Sequence, residues 1–74
     1  MVNVGKNCVI QDRAHISREV TIGDNVYVGP NVTLQGATLK NKAFVGMGAT
    51  VRHATVNSEA VVAAGAVIPD NTNI

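Results

Sequence analysis

The stretch VGPNVTLQGATL, residues 28–39, indicates the fold, because it carries aliphatic residues first six and then five positions apart: Val28, Leu34 and Leu39. The same spacing runs through the whole chain. Thirteen aliphatic positions follow one another at steps of six, except for two steps of five. They are Val4, Ile10, Ile16, Ile22, Val28, Leu34, Leu39, Val45, Val51, Val56, Val62, Ile68 and Ile74. Self-similarity at a short fixed period is typical of solenoid proteins.

A second set of small or β-branched residues stands two positions before each of the last twelve aliphatic residues. Side chains alternate in direction along a strand, so both sets are predicted to face the interior. The turns between strands, such as Lys6-Asn7 and Pro30-Asn31, are two residues long and rich in residues that tolerate left-handed backbone angles. Three strands and three such corners give a coil of eighteen residues. The sequence therefore predicts an all-β, left-handed parallel β-helix of about four triangular coils, forming a single domain over residues 1–74.

The two steps of five have a simple interpretation. At Gly36 and at His53 the turn contains one residue instead of two. These positions are seventeen residues apart, which is one coil with one deletion. We therefore expect the two tight corners to stack on each other and the strand register to be kept.

One outer face of the predicted helix is apolar. Its column, here called the aromatic stripe, consists of Val9, Tyr27, Phe44 and Val61, which include both aromatic residues of the chain. The other two faces are polar or mixed. A flat apolar column of this kind usually marks a contact surface, so we expect the aromatic stripe to bind a partner chain.

Composition narrows the function classes. The net charge is +1 with no basic block, which argues against nucleic-acid binding. The longest apolar run, residues 60–68, is too short to span a bilayer, so no direct membrane insertion is expected. The single cysteine, Cys8, fits a reducing compartment, and we expect an intracellular location such as the cytoplasm or the mitochondrial matrix. A chain of 74 residues supplies a small core, which favours oligomerisation.

Four segments resemble the γ-class carbonic anhydrases, and most closely the carbonic anhydrase-like proteins that lack the zinc histidines. They are IQDRAHIS at residues 10–17, TIGDNVYVGPNVTLQGATL at 21–39, FVGMGATV at 44–51 and AVVAAGAVIPDNT at 60–72. The resemblance covers nearly all of this chain and about half of such a protein. It implies a homotrimer with zinc at the subunit interfaces, held by two histidines from one chain and a third from its neighbour.

The histidine positions implied by the resemblance fall on Ser17, Pro30 and Gln35, none of which is histidine. Zinc is held by imidazole, thiolate or carboxylate groups, so these three side chains predict no metal, no cofactor and no catalytic residue. Gln11 and Asp12 match a Gln-Asp pair near the family's metal, and we expect them to contact a neighbouring chain instead. His15 and His53 are 38 residues apart, which is not a whole number of coils, and we interpret them as surface residues.

The preferred function is a non-catalytic scaffold or assembly subunit that forms a trimer with itself or with related chains. Such a trimer also fits within a larger protein complex, the family precedent being the carbonic anhydrase-like subunits of mitochondrial complex I. One alternative is a zinc-dependent carbonic anhydrase relative that completes its site with histidines from a partner chain. A second alternative is a fragment of a hexapeptide acyltransferase, in which one histidine acts as general base.

Overall fold

The computed structural model describes residues 2–74, which form twelve short β-strands and no helix. The short strands follow from the repeat, because each inward aliphatic residue and its neighbours fit between two corners. In chain order the strands are β1 (Val2–Val4), β2 (Val9–Ile10), β3 (His15–Ile16), β4 (Val20–Ile22), β5 (Tyr27–Val28), β6 (Thr33–Gln35), β7 (Thr38–Leu39), β8 (Phe44–Val45), β9 (Thr50–Arg52), β10 (Thr55–Val56), β11 (Val61–Val62) and β12 (Val67–Ile68).

The strands form three parallel four-stranded sheets, each taking every third strand. The orders are β1-β4-β7-β10, β2-β5-β8-β11 and β3-β6-β9-β12. We call these faces A, B and C. Paired residues are one coil apart, as in the pairs Val4 with Ile22 and Ile22 with Leu39. This register confirms the predicted parallel β-helix of about four triangular coils. Within residues 2–74 there is also no helix with the length and hydropathy that a membrane span requires.

The core lies on the solenoid axis and is made of the two predicted inward sets. Fifteen aliphatic residues are buried: Val20, Ile22, Val26, Val28, Val32, Leu34, Ala37, Leu39, Ala43, Val45, Ala49, Val51, Ala54, Val56 and Val62. Burial of one such valine or leucine contributes about 1.5–3 kcal/mol. Val4 and Ile10 belong to the same inward set but are 47% and 38% exposed. They lie in the first coil, which is covered by another coil on one side only.

Each corner contains a residue with a left-handed backbone conformation. These residues are Asn7, Arg13, Glu19, Asn25, Asn31, Gly36, Lys42, Gly48, His53, Glu59, Gly65 and Asn71. Asparagine and glycine were expected at such positions. Arginine, glutamate and lysine have no such preference, and a left-handed conformation costs them roughly 1–2 kcal/mol each. Strand pairing on both sides of the corner therefore imposes the turn on them.

The two tight corners stack as predicted. The backbone N–H of His53 donates to the carbonyl of Gln35 at 2.8 Å, which brings His53 onto the corner at Gly36. A Cβ added to Gly36 would lie 2.6 Å from Nδ1 of His53. The shortened turns of two successive coils thus coincide, and the strands on either side stay in register.

A side-chain ladder joins the corners between faces A and B. Oδ1 of Asp24 accepts a hydrogen bond from the backbone N–H of Lys6 at 2.9 Å. Oδ1 of Asn41 accepts one from the backbone N–H of Asp24 at 2.8 Å. Each side chain therefore satisfies a backbone donor of the preceding coil. This ladder was not predicted from the sequence, although the coil-length spacing of Asp24 and Asn41 is its signal.

Candidate functional site

The structure brings the aromatic stripe together as one continuous column on face B. Strand pairing places Val9 beside Tyr27, Tyr27 beside Phe44, and Phe44 beside Val61. The rings of Tyr27 and Phe44 are stacked, with centroids 4.7 Å apart and an interplanar angle of 9°. Val9, Phe44 and Val61 are 48%, 41% and 63% exposed. An apolar column that runs across all four coils is thus open to contact.

Two buried glycines, Gly29 and Gly46, lie next to the aromatic stripe and keep its face flat. A Cβ added to Gly29 would lie 2.8 Å from the backbone nitrogen of Met47. A Cβ added to Gly46 would lie 2.6 Å from the backbone nitrogen of Ala64. Real Cβ atoms do not approach backbone this closely, so any larger residue here would push two coils apart. The aromatic stripe therefore lies beside two positions at which neighbouring coils approach each other closely.

Gln11 and Asp12 follow β2 and lie at the edge of the aromatic stripe. The backbone N–H of Gln11 donates to the carbonyl of Val28 at 3.0 Å, and the carbonyl of Asp12 accepts from the N–H of Asn31 at 3.1 Å. Their backbones are thus used in coil pairing, while both side chains are exposed. Their contact with a neighbouring chain stays a prediction.

The three positions that the resemblance assigns to zinc lie on face C and its preceding corner. Ser17 follows β3, and its N–H donates to the carbonyl of Leu34 at 2.9 Å, which places it next to Gln35 in the adjacent coil. Pro30 lies in the corner that precedes β6, whereas Gln35 ends that strand. Two positions therefore stack on each other and the third lies at the opposite end of the same strand. None of the three side chains is a zinc ligand.

The two histidines occupy different elements. His15 lies in β3 beside Thr33, and His53 forms the tight corner on Gly36. Residues 2–74 contain no group of three or more histidine, cysteine, aspartate or glutamate side chains placed to hold a metal ion. They also enclose no pocket. The aromatic stripe stays the predicted contact surface, and it is an open face rather than an enclosed site.

Comparison with known proteins gives matches to a family model and to solved structures. The family model described as bacterial transferase hexapeptide (six repeats) matches residues 1–36. A hexapeptide transferase family protein from Anaplasma phagocytophilum, known from its crystal structure, is similar with 31% sequence identity and a TM-score of 0.93. The match covers 97% of this chain but 45% of that protein, so the chain spans less than half of its length. No curated protein matches.

The comparisons test the predicted fold and the predicted γ-class resemblance separately. They confirm the hexapeptide repeat and the β-helix fold. Neither match names a carbonic anhydrase, so the finer resemblance to the γ class stays an interpretation of the four sequence segments. With its six-residue period, its three parallel sheets and the structural match at a TM-score of 0.93, the chain folds as a parallel β-helix built from hexapeptide repeats.

Proposed function

We propose that the chain is a non-catalytic β-helix subunit that assembles, as a trimer, with copies of itself or with related chains through the aromatic stripe. The observation that carries the proposal is the continuous apolar column on face B, in which Val9, Phe44 and Val61 are exposed and Tyr27 is half-buried under its stacking with Phe44. Interface cores are enriched in aromatic residues and depleted in charged ones, and this column has that composition. Gln11 and Asp12 at its edge supply a polar rim.

The energetics favour association over an isolated monomer. Fifteen residues form the buried core, and many of them are alanine or valine. A core of that size leaves a small net stability once conformational entropy is subtracted. Burying the exposed parts of Phe44 and Val61 against another chain adds apolar area at about 25 cal/mol per Å². Assembly through the aromatic stripe would therefore add to the stability of the fold.

The non-catalytic part of the proposal rests on Ser17, Pro30 and Gln35. In the resemblance to the γ-class carbonic anhydrases these positions hold zinc. Hydroxyl, pyrrolidine and amide groups do not bind the ion tightly or lower the pKa of a bound water. The protein then keeps the solenoid and its assembly surface without the metal chemistry, and its trimer serves within a larger complex.

A hexapeptide acyltransferase is the second candidate, favoured by the descriptions of both matches, each of which names a transferase. The chain spans 45% of the structural neighbour, so the rest of such an enzyme would lie outside these 74 residues. In that case one of the two histidines, His15 or His53, would have to act as general base. A carbonic anhydrase relative with partner histidines is the third candidate.

Solution mass tests the assembly. We expect sedimentation equilibrium of the 74-residue chain to give a lateral assembly of three times 7.7 kDa. The double variant Tyr27→Ser, Phe44→Ser should shift it toward monomer. The matched control is Thr33→Ser, Thr50→Ser, which alters the equivalent outward pair on face C and should leave the mass unchanged. A wild-type monomer, or an unchanged mass in the double variant, would contradict the proposed role of the stripe.

Metal analysis and ligand binding separate the three candidates. The proposed function predicts no stoichiometric zinc, no hydration of carbon dioxide and no binding of acetyl-coenzyme A by calorimetry. The triple variant Ser17→His, Pro30→His, Gln35→His should bind zinc if the trimer has the geometry that the resemblance implies. Zinc in the unmodified protein would favour the carbonic anhydrase candidate, and binding of the acyl donor would favour the transferase.

A further inference from the structure

The proposed trimer requires a second contact surface on each chain, because a closed ring of three joins two different patches of neighbouring copies. The aromatic stripe is one of these patches. A stable interface buries about 800 Å² on each partner, so the two contacts of a ring take about 1,600 Å² of each chain. The chain exposes 4269 Å² in total. The contacts of a ring therefore extend well beyond the four side chains of the stripe.

One corner of the solenoid differs from the other two in charge. The corner between faces A and B carries a charged residue in every coil: Lys6, Asp24, Lys42 and Glu59. The corner between faces C and A carries Arg18, Glu19 and Asp70. The corner between faces B and C has no charge in the second, third and fourth coils, where it consists of Pro30-Asn31, Met47-Gly48 and Ala64-Gly65. We call these three turns the uncharged corner.

The turns of the uncharged corner are stacked and open to contact. The backbone N–H of Gly48 donates to the carbonyl of Pro30 at 2.9 Å, and that of Gly65 donates to the carbonyl of Met47 at 2.8 Å. Nothing lies within 4 Å of a Cβ added to Gly48 or to Gly65. The side chain of Met47 is 59% exposed. The corner thus presents a flexible thioether beside bare backbone, which lets another chain approach closely.

The aromatic stripe and the uncharged corner lie at opposite edges of face B. In each of these coils the stripe residue begins a strand and the corner follows three positions later, as with Phe44 and Met47. Residues 26–35, 43–51 and 60–69 run through face B, this corner and face C, and they contain no charged residue. Face B therefore offers one uncharged contact surface at each of its two edges.

We propose, on the basis of the trimer in the proposed function, that the aromatic stripe of each chain packs against the uncharged corner of the next copy. The solenoid axes run parallel to the three-fold axis, so residues of the same coil meet. The pairs are Tyr27 with Pro30, Phe44 with Met47, and Val61 with Ala64 of the neighbouring copy. Contact between a thioether and an aromatic ring is favourable, and face B of each chain forms one wall of the ring.

The distribution of charge favours the uncharged corner of a second copy as the occupant of the stripe. In the first coil Lys6 lies at the corner beside the stripe, and Asp12 lies on the face B side of the corner between faces B and C. The ring brings these two opposite charges to the same level, while Arg13 lies one residue further toward face C. Either of the other two corners would instead press charged side chains onto the apolar column, and removing a charge from water is unfavourable.

A disulfide tests which surfaces meet. Val61 and Ala64 of one chain are three residues apart along a strand, about 10 Å, which is too far for a disulfide within the chain. In a Cys8→Ala background, the double variant Val61→Cys, Ala64→Cys should give covalent trimers on a non-reducing gel after oxidation with diamide. Each cysteine alone should leave the chain monomeric on that gel. Dimers from Val61→Cys alone, or no covalent multimers from the double variant, would overturn the proposal.

A charge placed on the uncharged corner tests the same contact in solution. Met47→Lys should shift the mass in sedimentation equilibrium from trimer to monomer, because the ammonium group would be pressed against Phe44 of the neighbouring copy. Gln35→Lys is the matched control, since it adds the same charge at an exposed, uncharged position on face C and should keep the trimer. A trimeric Met47→Lys variant, or a Gln35→Lys variant that dissociates, would contradict the proposed contact.

The failure of this contact can be told apart from the failure of the proposed function. If the unmodified chain is a monomer, or if the double serine variant of the stripe keeps its mass, the proposed function fails. If that variant dissociates while Met47→Lys stays trimeric, the stripe is an assembly surface but the uncharged corner is not its partner. Zinc binding by the triple histidine variant would also overturn the ring, because it requires Pro30 beside Ser17 and Gln35 of the neighbouring copy rather than beside Tyr27.

Discussion

Replacement of Gly36 by alanine tests the stacked tight corners directly. Gly36 has a φ of 60°, and a Cβ there would lie 2.6 Å from Nδ1 and 2.8 Å from Cε1 of His53. Gly48 provides a matched position, because its φ is 71° but nothing lies within 4 Å of an added Cβ. The two substitutions share the backbone penalty and differ in the contact with the next coil. Their difference therefore measures the stacking of the corners.

The expected losses of stability follow from the backbone penalty and from the contact with the next coil. An alanine in the left-handed conformation destabilises the folded state by roughly 1–2 kcal/mol. Replacing glycine also lowers the conformational entropy of the unfolded chain, which stabilises the protein by about 0.4–1 kcal/mol. Gly48→Ala should therefore lower the free energy of unfolding by about 1 kcal/mol. Gly36→Ala must also displace the His53 ring or separate the coils, which adds about 1–3 kcal/mol. For a chain of this size each kcal/mol corresponds to about 4–8 °C in Tm.

Urea denaturation followed by circular dichroism, at one fixed protein concentration, is the assay, because association would otherwise shift the midpoint. In a His53→Ala background the cost of Gly36→Ala should fall to that of Gly48→Ala. The double-mutant cycle isolates the contact between the two corners. Equal costs for Gly36→Ala and Gly48→Ala, or no rescue by His53→Ala, would show that the tight corners do not stack as described.

Further substitutions test the core, the corner ladder and the imposed turns. Leu34→Ala should lower the free energy of unfolding by roughly 3 kcal/mol, because Leu34 is fully buried. Gln35→Ala, at the adjacent exposed position, is the control and should change the free energy little, as thermal melts would show. Asp24→Ala should cost about 1 kcal/mol through loss of the hydrogen bond to Lys6, and Asp24→Asn should keep it, as urea titration would show. Arg13→Gly should raise Tm, because Arg13 holds a φ of 64° that glycine adopts freely; a lower Tm would contradict the strain at that corner.

The six-residue period was sufficient to predict the fold because each strand is specified locally. Every inward aliphatic residue lies between two corners, and the two steps of five identified the stacked turn at Gly36 and His53. The exposure of Val4 and Ile10 was not predicted. A side chain that faces inward is buried only where a coil covers it on both sides. The period placed corners at Arg13, Glu19 and Lys42, but their left-handed backbone was not predictable from residue type, because these residues carry no preference for it.

The candidate site was predictable in part. The period placed Tyr27 and Phe44 in one column, and the structure added the ring stacking and the close backbone approach at Gly29 and Gly46. Ser17 and Gln35 were predicted to be neighbours from their separation by one coil, and they are. What occupies the aromatic stripe depends on a second chain, whose surface no pattern within one sequence describes.

The coincidence of the shortened turns at Gly36 and His53 has a consequence for how such chains can change in length. Paired residues lie seventeen or eighteen positions apart, so loss or duplication of one whole coil leaves every remaining side chain on its original face. Loss of a single six-residue repeat would keep inward residues inward but would move every later strand to a different face. A single residue can be lost only at a corner, and neighbouring coils accommodate that loss best at the same corner. Inherited variation in this fold should therefore accumulate in coil-sized steps, with one-residue differences confined to vertical rows of turns.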